Sequence, residues 1–345
     1  MVITAWGTAN MRTGGDDIAQ ALALMGVRPE WDETSSRVTG FEIMPLSALG
    51  RPRVDVTLRI SGLFRDAFPA QVNLVASAAR AVMGLDEPED QNPAASRYRA
   101  DQEALGQELA SARVFGSKPG AYGAGLQAMI DEELWSDRSD LAEAFLSWGS
   151  FAYGAGANGV ASRGALVRRL QTTDAVVQNQ DNREHDLLDS DDYYQFEGGL
   201  AATVATLRGQ EPSIYHNDHS RPERPLVRTL QDEIGRVVRS RASNPKWISG
   251  VKRHGYKGAF EIAATVDYLF AFAATTRAVK DHHFDQLYEA YVEDEDTRTF
   301  MAEQNPAALR EMANRFAEAI RRELWHPRSN SARMQIDRLS SRQRV

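Results

Sequence analysis

The sequence predicts an α/β N-terminal region, an open and largely parallel sheet with flanking helices, followed by a mainly α-helical C-terminal region. Three observations predict it. The first 85 residues alternate short apolar runs with amphipathic stretches at helical spacing. From about Ser190 onward the apolar residues recur with the helical period. The length of 345 residues and a composition of 42% hydrophobic and 26% charged residues suit a globular chain of two or three domains.

Taken in order, Val2–Trp6 is a short apolar strand. Asp16–Met25 is helical. Asp16 and Asp17 suit the positive end of its dipole, and Gly26 stops it. Val38–Met44 reads as a strand, and Val54–Ile60 as a buried one. Asp66–Val82 reads as one helix with Pro69 in its first turn. The polar, proline-bearing Asp86–Ala95 is a linker, so a first α/β region spans 1–85. A second region, 86–225, holds helices over Arg97–Ala112, Gly125–Glu133, Asp140–Trp148, Val160–Leu170 and Ser190–Leu207. It also holds short strands at Val114–Phe115 and Ala175–Gln178. The third region, 226–345, carries helices over Leu226–Arg241, Pro245–Lys252, Gly258–Lys280, His283–Val292 and Pro306–Trp325. The Arg-rich tail after Trp325 is expected to fray.

Several function classes fall away. A net charge of −8 argues against a general binder of nucleic acid or of an anionic membrane. With no cysteine there are no thiolate metal sites, which leaves imidazole, carboxylate and amide ligands. There is no G-x-x-x-x-G-K-[ST] and no H-E-x-x-H motif, so the chain is not expected to bind ATP through a P-loop. VITAWGTANM is too short and too interrupted for a signal peptide. Ala259–Thr276 is apolar but contains Glu261 and Asp267, which reads as a buried core helix. Gly154, Gly156 and Gly159 match G-x-G-x-x-G, but a poor strand precedes them. A flexible loop beside a cavity is the preferred reading. Gly116–Gly125 is either a solvent loop or the wall of a site for a large planar ligand. As a wall, Tyr122 would offer a face and Lys118 a cation for carboxylates.

The segment from Gln178 to His219 is the densest in chemistry. Asp181, Glu184, His185, Asp186, Asp189, Asp191, Asp192 and Glu197 precede His216, Asp218 and His219. Metal handling and proton transfer both need such residues. Asp189, Ser190 or Asp191 can instead cap the following helix, a role that does not cover Glu197. Gln178, Asn179, Asp181 and Glu184 lie just past a short strand, where open α/β sheets place ligands. His216, Asp218 and His219, read as a loop, can meet at a metal or simply hydrogen-bond the loop.

The chain also resembles, over almost all its length, the large-subunit family of aerobic cobaltochelatase (CobN), related to the magnesium-chelatase large subunit. The resemblance is carried by WGTANMRTGGDDIAQALALMGVRP (6–29), GRPRVDVTLRISGLFRDAFP (50–69), FGSKPGAYGAG (115–125) and DAVVQNQDNREHDLLDSDDYYQFEGG (174–199). YHNDHSRPE (215–223), NPKWI (244–248), HGYKGAFEIAATVDYLFAFAATT (254–276) and PRSNS (327–331) complete it. The magnesium branch shares a sparser set. It carries His-Tyr-Phe-Asp where this chain has Asp192-Tyr-Tyr-Gln195, and it lacks the imidazoles present here as His216 and His219. Imidazole suits cobalt better than magnesium, so the cobalt branch fits better. Family members are several times longer than this chain.

The resemblance implies a cytoplasmic metal chelatase of cobalamin biosynthesis. It would insert Co²⁺ into a corrin-type tetrapyrrole, hydrogenobyrinic acid a,c-diamide. ATP/Mg²⁺ would be used by two smaller AAA+-type partner subunits, and this chain would be inactive without them and without the family's upstream region. On this reading Glu184, Asp191, Asp192 and Glu197 are the base or ligand candidates. Asn179, Gln180, Tyr122 and Lys118 would hold the substrate, and His216, His219 and Asp218 the metal. The alternatives are magnesium insertion into protoporphyrin IX and a non-catalytic tetrapyrrole-binding module.

Overall fold

The computed structural model describes residues 1–340. Its strands are β1 (Val2–Ala5), β2 (Val27–Trp31), β3 (Val38–Ile43), β4 (Thr57–Ile60), β5 (Val114–Gly116), β6 (Phe151–Gly154), β7 (Ala157–Ala161), β8 (Ala175–Gln180), β9 (Ser213–Asp218) and β10 (Leu226–Thr229). Eight form one sheet in the order β10-β9-β8-β1-β4-β5-β6-β7, and β2 pairs with β3 in a separate hairpin. The run from β9 through β8, β1 and β4 to β5 is parallel. β6 and β7 close one side antiparallel. The central strands β1, β4 and β8 are buried along their whole length, the polar Thr57, Arg59, Gln178, Asn179 and Gln180 included. Ile3, Ala5, Leu58, Ile60 and Val114 of the sheet pack with Ile18, Leu22, Val72, Val75 and Ala79 from two helices.

The open, largely parallel sheet and the helical C-terminal region are as the sequence predicts. The differences have local causes. The expected helix Asp66–Val82 is two helices, Gly62–Ala67 and Pro69–Met83. Ser61 caps the first, and Pro69, with no N–H to give, starts the second. The glycine-rich stretch is not a loop but the β6–β7 hairpin, which turns through Ala155 and Gly156 at positive φ and borders a cavity of about 410 Å³. YHND is not a loop either. It continues β9, because β8 offers a parallel edge as far as Gln180. The helix expected from Leu226 begins at Leu230, capped by Thr229, and β10 precedes it. After Trp325 the described residues carry a helix where fraying was expected, Ala332–Ser340, which buries Ala332 and Ile336, and the rest of the expected tail, 341–345, lies outside the described residues.

Contacts divide the chain into two compact units. The first contains Met1–Asp181 and Gln195–Val227. The second, Asn182–Tyr194 with the chain from Arg228 on, is helical. In the second unit, Tyr256–Thr275 is long and apolar enough to cross a membrane by length and composition, but most of it is buried as a core helix. Phe284, Phe316 and Trp325 pack ring on ring there, with centroids 5.3 to 6.4 Å apart.

The sheet unit is pinned below β4 by a buried ion pair. Asp55 accepts from Arg113 Nε at 2.6 Å and from Arg97 Nη1 at 3.2 Å. Burial pushes its carboxyl up, but Arg113 above all outweighs this and holds it well below the usual carboxylate range. A depressed folded pKa gives stability that is complete above the unfolded value, about 4, and is lost as pH falls below it. We expect Asp55→Ala to lower unfolding free energy in urea at pH 7 by about 3–5 kcal/mol, because it strands Arg113. That gap should narrow below about pH 4. A loss under about 1 kcal/mol at pH 7 would show that the pair does not pin the sheet.

Candidate functional site

The five parallel strands end on one edge of the sheet, at Asp218, Gln180, Ala5, Ile60 and Gly116. From β1 the chain builds outward through β4 to β5, then returns to the other flank of β1 with β8 and β9. Strand order therefore reverses between β1 and β8. At such a point, beyond the carboxyl ends, open α/β sheets bind their ligands. Thr4 Oγ1 donates to Gln178 Oε1 across this boundary.

Side chains alternate along β8 and β9, so two polar sets leave the edge on opposite faces. The first set contains Asn179 and Asn217. Asn179 Nδ2 donates to Asp17 Oδ1 and to Gln20 Oε1, both at 2.7 Å, and Asn217 Nδ2 donates to Asn179 Oδ1 at 3.0 Å. Nearby, Arg12 grips Asp181 with two hydrogen bonds of 2.6 and 2.9 Å. His219 Nδ1 lies 2.9 Å from Asp16 Oδ2. His219 Nε2 is buried and has no hydrogen-bond partner among the described residues.

The second set is a buried relay. His216 Nδ1 lies 3.0 Å from Glu197 Oε2, and its Nε2 lies 3.1 Å from Gln180 Oε1. Glu197 and His216 are both 0% exposed. With the Gln180 oxygen accepting, Nε2 carries a hydrogen. Nδ1 then faces the carboxylate, and a proton placed between Nδ1 and Oε2 would be held by both. Glu197 reaches this position from a π-helical turn, Tyr194–Gly198, set between Asp191–Tyr193 and Gly199–Arg208. Such single-turn insertions are frequent at functional sites. The neighbouring Phe196 ring lies 5.2 Å from the Arg59 guanidinium, which is also 5.3 Å from Phe145. Burial lowers Arg59 to about 10, so it stays cationic at neutral pH.

The acidic residues of the sequence segment separate. Glu184 is exposed and Asp191 half-buried, and with Asp192 they belong to the helical unit, whereas Glu197 belongs to the sheet unit. Asp186 and Asp189 are taken by Arg241, the first through two bonds of 2.6 and 2.9 Å. Arg241 also lies over Trp247 of the NPKW motif at 4.9 Å. Of the three capping candidates Ser190 serves, accepting from Asp192 N. Asp218 accepts from the Ser220 amide and hydroxyl. Each imidazole of the 216–219 stretch thus has its own carboxylate, Glu197 for one and Asp16 for the other. Among the described residues no three His, Asp or Glu groups converge tightly enough to hold a metal ion. Lys118 is exposed and Tyr122 is 58% exposed, both on the loop after β5.

Sequence reasoning took Asp17 only as a helix-terminal acid. It is 4% exposed and heads the buried row Asp17, Ala21, Met25 of its helix. A carboxylate at i on a row whose i+4 and i+8 positions are apolar was the available signal.

The residues matched by the family model CobN/Magnesium Chelatase are 1–332, and the chain belongs to this family. It is 64% identical over 343 residues to the aerobic cobaltochelatase subunit CobN of a Sinorhizobium species, a match covering 97% of this chain and 27% of that protein. It is 34% identical to the chloroplastic magnesium-chelatase subunit ChlH of Oryza sativa, over 94% of this chain and 24% of that one. Its fold superposes on the catalytic subunit of cobaltochelatase from Mycobacterium tuberculosis with a TM-score of 0.96 at 47% identity, over 98% of this chain and 29% of that one. The chain spans about a quarter of the length of these relatives.

Burial raises Asp17 to about 6 despite the hydrogen bond from Asn179. A raised folded pKa means that the folded state holds the proton more tightly, so the cost of this carboxyl is absent below about 4, grows as pH rises from there and is complete above about 6. Asp17→Asn keeps the acceptor oxygen for Asn179 and removes the charge. We expect its stability relative to the parent to rise between pH 4.5 and 8, by roughly 3 kcal/mol at most. Urea unfolding at both pH values measures this. A gap unchanged by pH would show that burial does not hold this carboxyl up.

Proposed function

We propose that this member of the CobN/magnesium chelatase family takes part in metallating a tetrapyrrole. As part of a cobaltochelatase large subunit it would hold hydrogenobyrinic acid a,c-diamide while Co²⁺ enters. Two smaller AAA+ partner subunits would hydrolyse the ATP, in keeping with the missing P-loop motif. The observation that carries the reading is the buried Glu197–His216–Gln180 relay at the point where strand order reverses, in a chain 64% identical to a CobN.

Metal insertion makes two chemical demands. Protons must leave the ring nitrogens, and the incoming cation must exchange water for protein and then for macrocycle. The relay suits the first demand, because a proton taken up between Glu197 Oε2 and His216 Nδ1 would be held by both groups in a water-poor site. Asp17, raised to about 6, is a second proton acceptor near neutral pH. His219 suits the second demand. Asp16 orients its Nδ1, and the buried Nε2 is left without a hydrogen-bond partner among the described residues, the arrangement of a metal-binding imidazole with a carboxylate behind it. His216 has both ring nitrogens engaged and is assigned to protons. The amides of Asn179 and Gln180 are likewise engaged within the network, so they hold it in shape and leave the macrocycle to Tyr122 and Lys118.

An imidazole at the entry point favours cobalt over magnesium, whose preference is for oxygen ligands. This weighs against the protoporphyrin alternative. We expect Glu197→Gln, placed in a full-length large subunit with both partners, ATP and Co²⁺, to lower kcat by about 10²–10⁴-fold. Macrocycle affinity should stay within about twofold, because the relay is buried. The change in macrocycle absorbance reports turnover. Turnover within about threefold of the parent would remove the relay from the reaction. Macrocycle binding without metal-dependent turnover in the parent would favour the non-catalytic module.

A further inference from the structure

We infer that Arg65 is a positioning residue, which clamps the Gly116–Gly125 loop into a preformed wall for the flat face of a large planar ligand that carries carboxylates. Only the identity of that ligand rests on the tetrapyrrole reading. The clamp stands on its own contacts.

Arg65 lies in the short helix after β4 and is 8% exposed. Its Nε and Nη2 donate to Asp66 Oδ1 and Oδ2 at 2.6 and 2.8 Å. Its Nη1 points into the loop, 2.8 Å from Lys118 O and 3.0 Å from Ala121 O, with Ser117 O and Oγ both at 3.3 Å. Those oxygens converge because Lys118-Pro119-Gly120-Ala121 is a tight turn. Ala121 N donates to Lys118 O at 2.9 Å, Pro119 fixes the second position, and Gly120 takes φ +78 at the third. Ser117 Oγ donates to Ala121 O at 2.7 Å, and Tyr153 OH donates to Ser117 O at 2.5 Å. The backbone oxygens at 117, 118 and 121 are therefore all used inside the fold.

Side chains are what this loop presents outward. Tyr122 OH donates to Asp66 Oδ2 at 2.7 Å, and one face of its ring covers the Arg65 guanidinium at 5.5 Å. Gly62 lets the ring seat there, since a Cβ at that position would stand 2.6 Å from it. Such a ring, anchored at its hydroxyl yet 58% exposed, offers its other face for stacking at little entropic cost. Lys118 is exposed at the start of the same turn, where its ammonium can meet a carboxylate. Lysine in place of Arg65 would keep the charge but lose the fork that binds Asp66 and the turn at once.

Two measurements on the 345-residue chain test this. Hydrogen exchange reads the clamp without any ligand. In Arg65→Lys the amides from 117 to 123 should exchange at least about tenfold faster, while the sheet stays protected. Tyr153→Phe, which removes one hydroxyl, should give a smaller change in the same segment. Titration with hydrogenobyrinic acid a,c-diamide reads the wall. Arg65→Lys and Tyr122→Ala should each weaken binding about tenfold, and the double variant no more than about twofold further, because both act through one surface. Parent-like exchange in both Arg65→Lys and Tyr153→Phe overturns the clamp. Losses that multiply in the double variant overturn the wall. A parent chain that does not bind this macrocycle overturns the tetrapyrrole reading and the ligand assigned here, while the exchange data still decide the clamp.

Discussion

Because side chains alternate along a strand, the parallel pairing of β8 with β9 fixes nearly every contact at the carboxyl edge. Gln178 lies opposite His216, Asn179 opposite Asn217 and Gln180 opposite Asp218. In this register His216 meets Gln180 and Glu197 on one face, while Asn217 meets Asn179 and, through it, Asp17 on the other. A slip of one residue would exchange the faces and bury each set against the wrong partners. The register in turn hangs on β1, which pairs with β8 through Val2 and Ile3 and with β4 on its other side. The polar network is thus registered through β1, a mostly apolar strand whose one polar contribution is Thr4.

Burying so many polar groups is costly unless each is paired, and the structure meets that cost unevenly. Asp55 has two guanidiniums, and Asp186 and Asp189 share Arg241. Arg59 is held differently. It donates to Ile60 O and lies between Phe145 and Phe196, while its Nε and Nη2 find no acceptor among the described residues. The aromatic faces offset part of the desolvation. The same contact ties Phe196, and with it the π-helical turn that aims Glu197, to β4. A plain α-helical turn through Tyr194–Gly198 would rotate Glu197 away from His216.

What the sequence revealed follows from which forces act locally. Helices with caps and periodic faces, such as Pro245–Lys252 with Asn244 at its start, were legible nearly to the residue. So were β1, whose apolar run marks a strand buried on both faces, and β4, whose alternating residues mark a strand by their period. Elements that exist only because a neighbour pairs with them were hidden. The β6–β7 hairpin is rich in glycine, and β9 ends in Tyr-His-Asn-Asp, so neither has strand propensity of its own. The site was legible in composition but not in grouping. Glu197 and His216 were each singled out, yet their pairing depends on a π-helical turn that no spacing rule encodes. Asp17 stands in the first turn of its helix as expected, but its burial was hidden, because a helix-terminal acid and a buried acid look alike until the facing strand is known.

The two imidazoles of the 216–219 stretch are held differently, and the proposed metallation would give that difference a use. A macrocycle gives up protons as it gains a cation, so one residue doing both jobs would face direct competition between H⁺ and metal. His216 is enclosed, with a partner at each ring nitrogen, Glu197 at Nδ1 and Gln180 at Nε2. His219 is held by Asp16 through Nδ1 alone, and Asp16 reaches solvent. The strand end that separates them, Asn217 and Asp218, turns one ring inward and the other to the rim. A cation docked at His219 would disfavour a positive charge on nearby groups, and it would draw protons out of an adjoining relay. In the proposed reaction the metal's arrival and the protons' departure are therefore coupled by electrostatics across one strand end, with no residue required to exchange one for the other.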